Sequence, residues 1–162
     1  MSWFNRSKAH ETLPSDLTTS ILYDEITFYN RFTEDLLDAK KEVIIESPFI
    51  TTKRMRELRP IFERLISKGV RIYVMTRDPR EHNEEYEVQS EDEIRHFETL
   101  GVQVLLCVGN HHRKLAILDR KVLWEGSLNI LSQTHSREIM RRIDSKKLTE
   151  EMFKFLKLGQ WV

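Results

Sequence analysis

The sequence holds a single cysteine, carries no formal net charge and has no apolar run long enough to cross a bilayer. The lone Cys107, inside the apolar VLLCV, rules out a disulfide scaffold and reads as a small core hydrophobe. Twenty-six basic residues against twenty-six acidic ones remove any whole-molecule attraction to polyanions, so binding one needs local asymmetry. The N-terminal MSWFNRSKAHETLPSD lacks a secretory hydrophobic stretch, which predicts a soluble, cytoplasmic protein. No internal linker divides the chain. The expectation is one α/β domain over residues 21–162, a mixed central sheet flanked by helices, behind a loose leader over residues 1–20.

Helix and strand patterns alternate along that domain. Ile21 to Tyr23 predict a short strand, and Asp24 a cap for an amphipathic helix carrying Phe28, Phe32 and Leu36. Val43 to Ile45 read as a buried strand. Thr51 or Thr52 caps a second helix bearing Met55, Leu58, Phe62 and Leu65, which Pro60 should kink or divide. Val70, Ile72 and Val74 alternate as a strand after Gly69. Arg77 to Gln89 is so poor in apolar residues that it predicts an exposed loop. A helix through Ile94, Phe97 and Leu100 and a strand from Val102 follow, repeating the helix, Gly, strand unit. Arg137 to Ile143 predict an edge strand, residues 146–157 a last helix, and Trp161 an anchor for the tail.

The chemistry concentrates in residues 111–129, HHRKLAILDRKVLWEGSLN. On an extended segment His112 and Lys114 fall on one side, followed by the apolar Leu115 to Leu118 and a DRK turn at Asp119. Ser127 and Asn129 share a side in the same way, and Gly126 leaves room for an anion to approach the main chain. Imidazole, ammonium, hydroxyl and carboxamide together fit a phosphate or another anion. Each alone also has an ordinary structural use.

The set H-x-K, Asp, G-S-x-N, met by His112, Lys114, Asp119, Gly126, Ser127 and Asn129, resembles the phospholipase D-like superfamily. EVIIESPFI, KLAILD, VLWEGSLNILS and REIMRR resemble, within it, the C-terminal module of some superfamily I DNA and RNA helicases and stand-alone dimeric nucleases. That resemblance implies a phospholipase D-like fold and a metal-independent endonuclease working through a phosphohistidine. Only one H-x-K is present, so it also implies a homodimer that completes the site, with a helicase as a further partner. In that scheme Glu138 fixes the tautomer of a histidine, with Glu125 as the competing carboxylate. Asp119, though part of the motif, orients its turn or balances a lysine, and His111 faces away or binds the backbone.

Lysine beside histidine opposes a metal centre, so no cofactor or metal is expected. Arg54, Arg56 and Arg59, with Arg141 and Arg142, could track a DNA or RNA backbone. No clustered exposed aromatics point to a stacking platform. The other classes in play are a non-catalytic nucleic-acid-binding or dimerisation module and a phospholipase D-type lipid hydrolase.

Overall fold

A computed structural model describes residues 19–132 and 135–162. The expected leader falls, up to residue 18, outside the described residues. Ser20 already belongs to the sheet. Seven strands form that sheet: β1 (Ser20–Asp24), β2 (Glu42–Glu46), β3 (Arg71–Arg77), β4 (Gln103–Cys107), β5 (Leu115–Leu118), β6 (Val122–Gly126) and β7 (Ile139–Asp144). Their order is β1-β7-β6-β5-β2-β3-β4. The β2-β3 and β3-β4 pairs are parallel, linked by helical crossovers, and the other pairs are antiparallel. This is the mixed α/β sheet the sequence predicts.

Period-two alternation decides which residues each face buries. Val43, Ile45, Val74, Ala116, Leu118 and Trp124 pack under α1 (Phe28–Asp38), α2 (Thr52–Ser67) and α3 (Glu84–Leu100). Ile44, Tyr73, Met75, Leu115, Ile117 and Leu123 pack under α4 (Lys146–Phe155) through Phe153 and beside Leu158. β5 and β6 are joined by Asp119, Arg120 and Lys121, in a turn whose central residues Asp119 and Arg120 both take φ +52° and in which Lys121 N–H donates to the Leu118 carbonyl at 3.0 Å. That is the hairpin geometry whose twist suits the strands, and Asp tolerates its left-handed backbone. No helix among the described residues is long and apolar enough to cross a membrane.

Five expectations change. Pro60 does not divide α2, because it and Arg56 are exposed and water can serve the carbonyl that loses its donor. The predicted loop over 77–89 contains the start of α3. Asn83 caps it by accepting from Tyr86 N–H at 3.1 Å, and Glu84, Glu85 and Glu87 suit the positive end of a helix despite their polarity. β7 is not an edge strand, since β1 pairs along its outer side. Thr27, rather than Asp24, is the residue before α1, while Asp24 accepts from Ile26 N–H and Thr27 N–H in the preceding turn. Trp161 stays exposed, and buried Leu158 anchors the tail.

Candidate active site

Leu115 pairs with Glu46 on one side and Glu125 on the other, and Gly126 pairs with Met140. The residues just outside those pairs therefore converge at one end of the sheet, where parallel β2 and β3 also finish. His112 and Lys114 lie on the non-strand segment leading into β5, so the predicted strand begins one residue after the lysine. Lys114 Nζ donates to the His112 carbonyl at 2.8 Å and lies 2.8 Å from His112 Nδ1. His112, Lys114, Gly126, Ser127 and Arg141 line one open groove of about 670 Å³.

Packing also requires a glycine at position 126. A Cβ there would lie 2.8 Å from Met140 Sδ and 2.9 Å from Met140 Cα, and closer still to the Ile139 carbonyl. β7 thus lies tightly against β6 at this point. Ser127 is fixed by the same strand: its N–H donates to the Ile139 carbonyl at 2.9 Å, and its Oγ accepts from Ile139 N–H at 3.0 Å. Asn129 Oδ1 is buried with no hydrogen-bond partner among the described residues. The loop carrying Asn129 is held from below by Tyr29, whose hydroxyl lies 3.3 Å from the Asn129 carbonyl and 3.2 Å from that of Ile130. Ser47 Oγ accepts from Leu131 N–H at 3.1 Å on the other side.

Glu138 stands close enough to Lys114 for its charge to favour the ammonium, yet its carboxylate accepts from Ser136 Oγ at 2.6 Å rather than from an imidazole. Asp119 is at the opposite end of β5. Its carboxylate accepts from the backbone N–H groups of Lys40, Lys41 and Glu42 at 2.7 to 2.9 Å, tying the hairpin turn to the start of β2. Glu125 also lines the groove.

The five arginines divide. Arg141 reaches the groove and donates to Ser20 Oγ at 2.9 Å. Arg56 is exposed on α2. Arg59 pairs with Glu93 at 3.3 Å against α3. Arg54 is buried, paired with Glu57, with its guanidinium 3.3 Å above the Tyr29 ring. Arg142 is buried and bidentate to Asp35 at 2.7 and 3.0 Å, alongside Trp124 Nε1–H. These last two stabilise the domain in the places where a backbone track was expected.

Burial holds the His112 pKa below the ordinary imidazole value, with Lys114 and Arg77 adding repulsion, so the ring is neutral near pH 7. Burial also lowers the Lys114 pKa, which Glu138 opposes. Among the described residues, no group of three or more His, Cys, Asp or Glu side chains could hold a metal ion.

Residues 32–158 match the family described as "Cardiolipin synthase, PLD-like domain". The chain belongs to this PLD-like family. No curated protein matches it. The PLD-like chain is similar in structure to NucT from Helicobacter pylori, with 17% identity and a TM-score of 0.67 over 85% of this chain and 92% of that one. It is similar to Nuc, a phospholipase D family member from Salmonella typhimurium, at 17% identity and a TM-score of 0.65 over 85% and 92%. Phosphatidylserine synthase from Haemophilus influenzae Rd KW20 matches at 16% identity and a TM-score of 0.65, over 88% of this chain and 38% of that one. At such identities these structures share the fold.

Two features of the PLD-like site escape sequence reasoning. The first is Glu46, fully buried at the end of β2. It accepts from Arg113 Nε at 2.6 Å and lies 3.3 Å from His111 Nε2, which is not aligned for a hydrogen bond. Burial raises its pKa, opposed by Arg113, and burial with nearby cations pulls His111 down to about 4. The alternation in HHRK assigns His111 and Arg113 to the face opposite His112 and Lys114, but nothing in EVIIESPFI names their shared acceptor. The second is an aromatic group. The Phe49 ring centre is 6.4 Å from that of His112, 5.0 Å from His82 and 6.4 Å from Tyr86. These residues are scattered along the sequence, so no local pattern reveals the cluster.

Proposed function

We propose that this chain is a metal-independent phosphodiesterase that cleaves nucleic acid through His112, at a site completed by a second copy of itself. The observation carrying this reading is the groove in which His112, Lys114, Ser127 and Arg141 meet. A neutral imidazole beside an ammonium suits attack on a phosphodiester. A phosphate arriving there would draw Lys114 Nζ from the ring onto a non-bridging oxygen, and Arg141 and main-chain donors would share the developing charge.

The lone pair of a His112 ring nitrogen then forms an N–P bond as the P–O bond to the leaving group breaks. The negative charge of the bound diester favours protonation of the second ring, so His112 of the partner subunit, as an imidazolium, supplies the proton that the leaving oxygen takes up and is left as a neutral base. It next removes a proton from water, whose oxygen attacks phosphorus. Breakage of the N–P bond restores neutral His112. Glu138, beside Lys114, is the carboxylate available to accept the other ring N–H once the lysine moves.

Exposed apolar residues around the groove support the dimer: Leu22, Ile139 and Phe155 are 58%, 61% and 80% exposed and line it with His112. A two-fold contact would cover them while bringing the two His112 rings together. The helicase-module resemblance supports a nucleic-acid substrate and a nucleic-acid-processing partner. The same apolar rim favours, as a second reading, phosphatidyl hydrolysis at a lipid surface.

Labelled single- and double-stranded DNA and RNA, and vesicles containing phosphatidylglycerol, distinguish the readings when incubated with parent and His112→Ala in a strong chelator. Cleavage of nucleic acid by the parent, reduced on the order of 10³-fold or more in the variant, is expected. Equal rates in both reject the nucleophile. Hydrolysis of the vesicles alone selects the lipid reading, and binding without turnover selects a clamp.

A further inference from the structure

We infer that Phe49 and Tyr86 form a base-stacking subsite that directs the groove toward unpaired nucleotides. This rests on the phosphodiesterase reading above and adds the class of substrate. Phe49 follows Ser47 and Pro48 at the end of β2 and is absent from both core clusters, whereas its neighbour Ile50 is buried. Its carbonyl accepts from Ser47 Oγ at 3.2 Å, so the partly exposed ring stands on a fixed loop. His82 backs it edge-on at 5.0 Å, with an interplanar angle of 81°. Tyr86, in the first turn of α3, is 45% exposed, and its phenol makes no hydrogen bond among the described residues. The two rings lie 6.4 Å apart, and Phe49 is the same distance from the His112 imidazole. A phosphate meeting His112 therefore has an aromatic surface within reach of a base on the same strand.

The charges around the rings give this surface a direction. Glu84 and Glu85 are exposed in the first turn after the Asn83 cap, and Glu87 follows Tyr86. This rim repels phosphates, so a sugar-phosphate backbone runs instead past Lys114 and Arg141. Bases are uncharged and can turn toward the rings. A duplex has paired bases and a second row of phosphates, which the acidic turn disfavours, whereas a single strand can offer a splayed base to the aromatic faces. Neutral His82, its pKa lowered by burial and by Arg77, leaves the platform without a cation of its own. The acidic residues thus act as a selectivity element beside the site.

The test measures binding and cleavage of a short single-stranded oligonucleotide, the same strand with abasic sites, and a blunt duplex. Binding uses the His112→Ala chain, alone and with Tyr86→Ala, Tyr86→Phe or Phe49→Leu. The expected result is about 5- to 100-fold weaker binding of the abasic strand, the range of one base stacked on one ring. That discrimination falls in Tyr86→Ala and Phe49→Leu and is retained in Tyr86→Phe. The duplex binds more weakly than the single strand. Equal affinity for the normal and abasic strands, or unchanged discrimination in Tyr86→Ala, overturns the subsite. So does loss of the dimer in Tyr86→Ala, which would assign the ring to the subunit contact. Cleavage of both strands at equal rates by the otherwise unchanged chain overturns the subsite while keeping the phosphodiesterase reading. Absence of both binding and cleavage removes that reading as well.

Discussion

Glu46 accepts a 2.6 Å hydrogen bond from Arg113, the residue that separates His112 from Lys114. The segment around the proposed nucleophile is thus fastened through Arg113, with His112 and Lys114 left facing the groove. Removing the fastening should loosen the pair. Glu46→Ala is expected to lower kcat more than it raises KM and to cost about 1–3 kcal/mol in urea denaturation. Glu46→Gln, which keeps an acceptor, should recover part of both. A Glu46→Ala variant with unchanged kcat would separate the clamp from the chemistry.

His111 makes stability depend on pH. Its folded pKa of about 4 lies below the ordinary 6.5, so its contribution is present above pH 6.5 and is lost as pH falls through about 4. The window is worth on the order of 3 kcal/mol, at about 1.4 kcal/mol per pH unit. Glu46 works in the opposite sense, because its raised pKa favours the folded chain at low pH. Denaturation midpoints measured from pH 7.5 to 4.5 should therefore fall in the parent and fall less in His111→Gln. Parallel curves would contradict a buried neutral imidazole.

Asp119 separates stability from catalysis. Its carboxylate serves three backbone N–H groups at the far end of β5 and holds the hairpin against the start of β2. Asp119→Ala should destabilise the chain by about 1–3 kcal/mol, with Asn milder because it keeps an acceptor and tolerates the left-handed backbone. The folded fraction should keep its turnover number. A large drop in kcat without a change in stability would return Asp119 to the reaction.

Gly126 should not admit even a methyl group. Gly126→Ala must push β7 from β6, since the nearest obstacles include the Ile139 carbonyl and the Met140 Cα at 2.9 Å. A cost of about 1–3 kcal/mol is expected, as for other overpacked sites, together with weaker phosphate binding as Ser127 shifts. Thermal melts and inhibition by inorganic phosphate measure the two effects. An unperturbed variant would mean that the strands separate freely here.

Much of this was legible in the sequence because period-two and helical spacings carry their own burial patterns. Val43 to Ile45, Leu115 to Leu118 and the face of α2 are examples. The H-x-K and G-S-x-N segments could be read as one site for the same reason, since they flank a short hairpin. Contacts between distant segments were not legible. Arg54 and Arg142 look like surface cations until Tyr29 and Asp35 close over them. The start of α3 is set by the Asn83 cap and helix-end charge, and it has no apolar stripe to reveal it. Glu46, Phe49 and Tyr86 gain their meaning only when the sheet brings them to the site.

In the proposed reaction His112 forms a covalent bond to phosphorus. The stereochemical course of cleavage at a chiral phosphorothioate diester tests it most directly. Two successive in-line displacements, by His112 and then by water, predict retention of configuration at phosphorus. Inversion would rule out the phosphohistidine, since it would mean that water attacks the diester directly and His112 never carries the phosphoryl group.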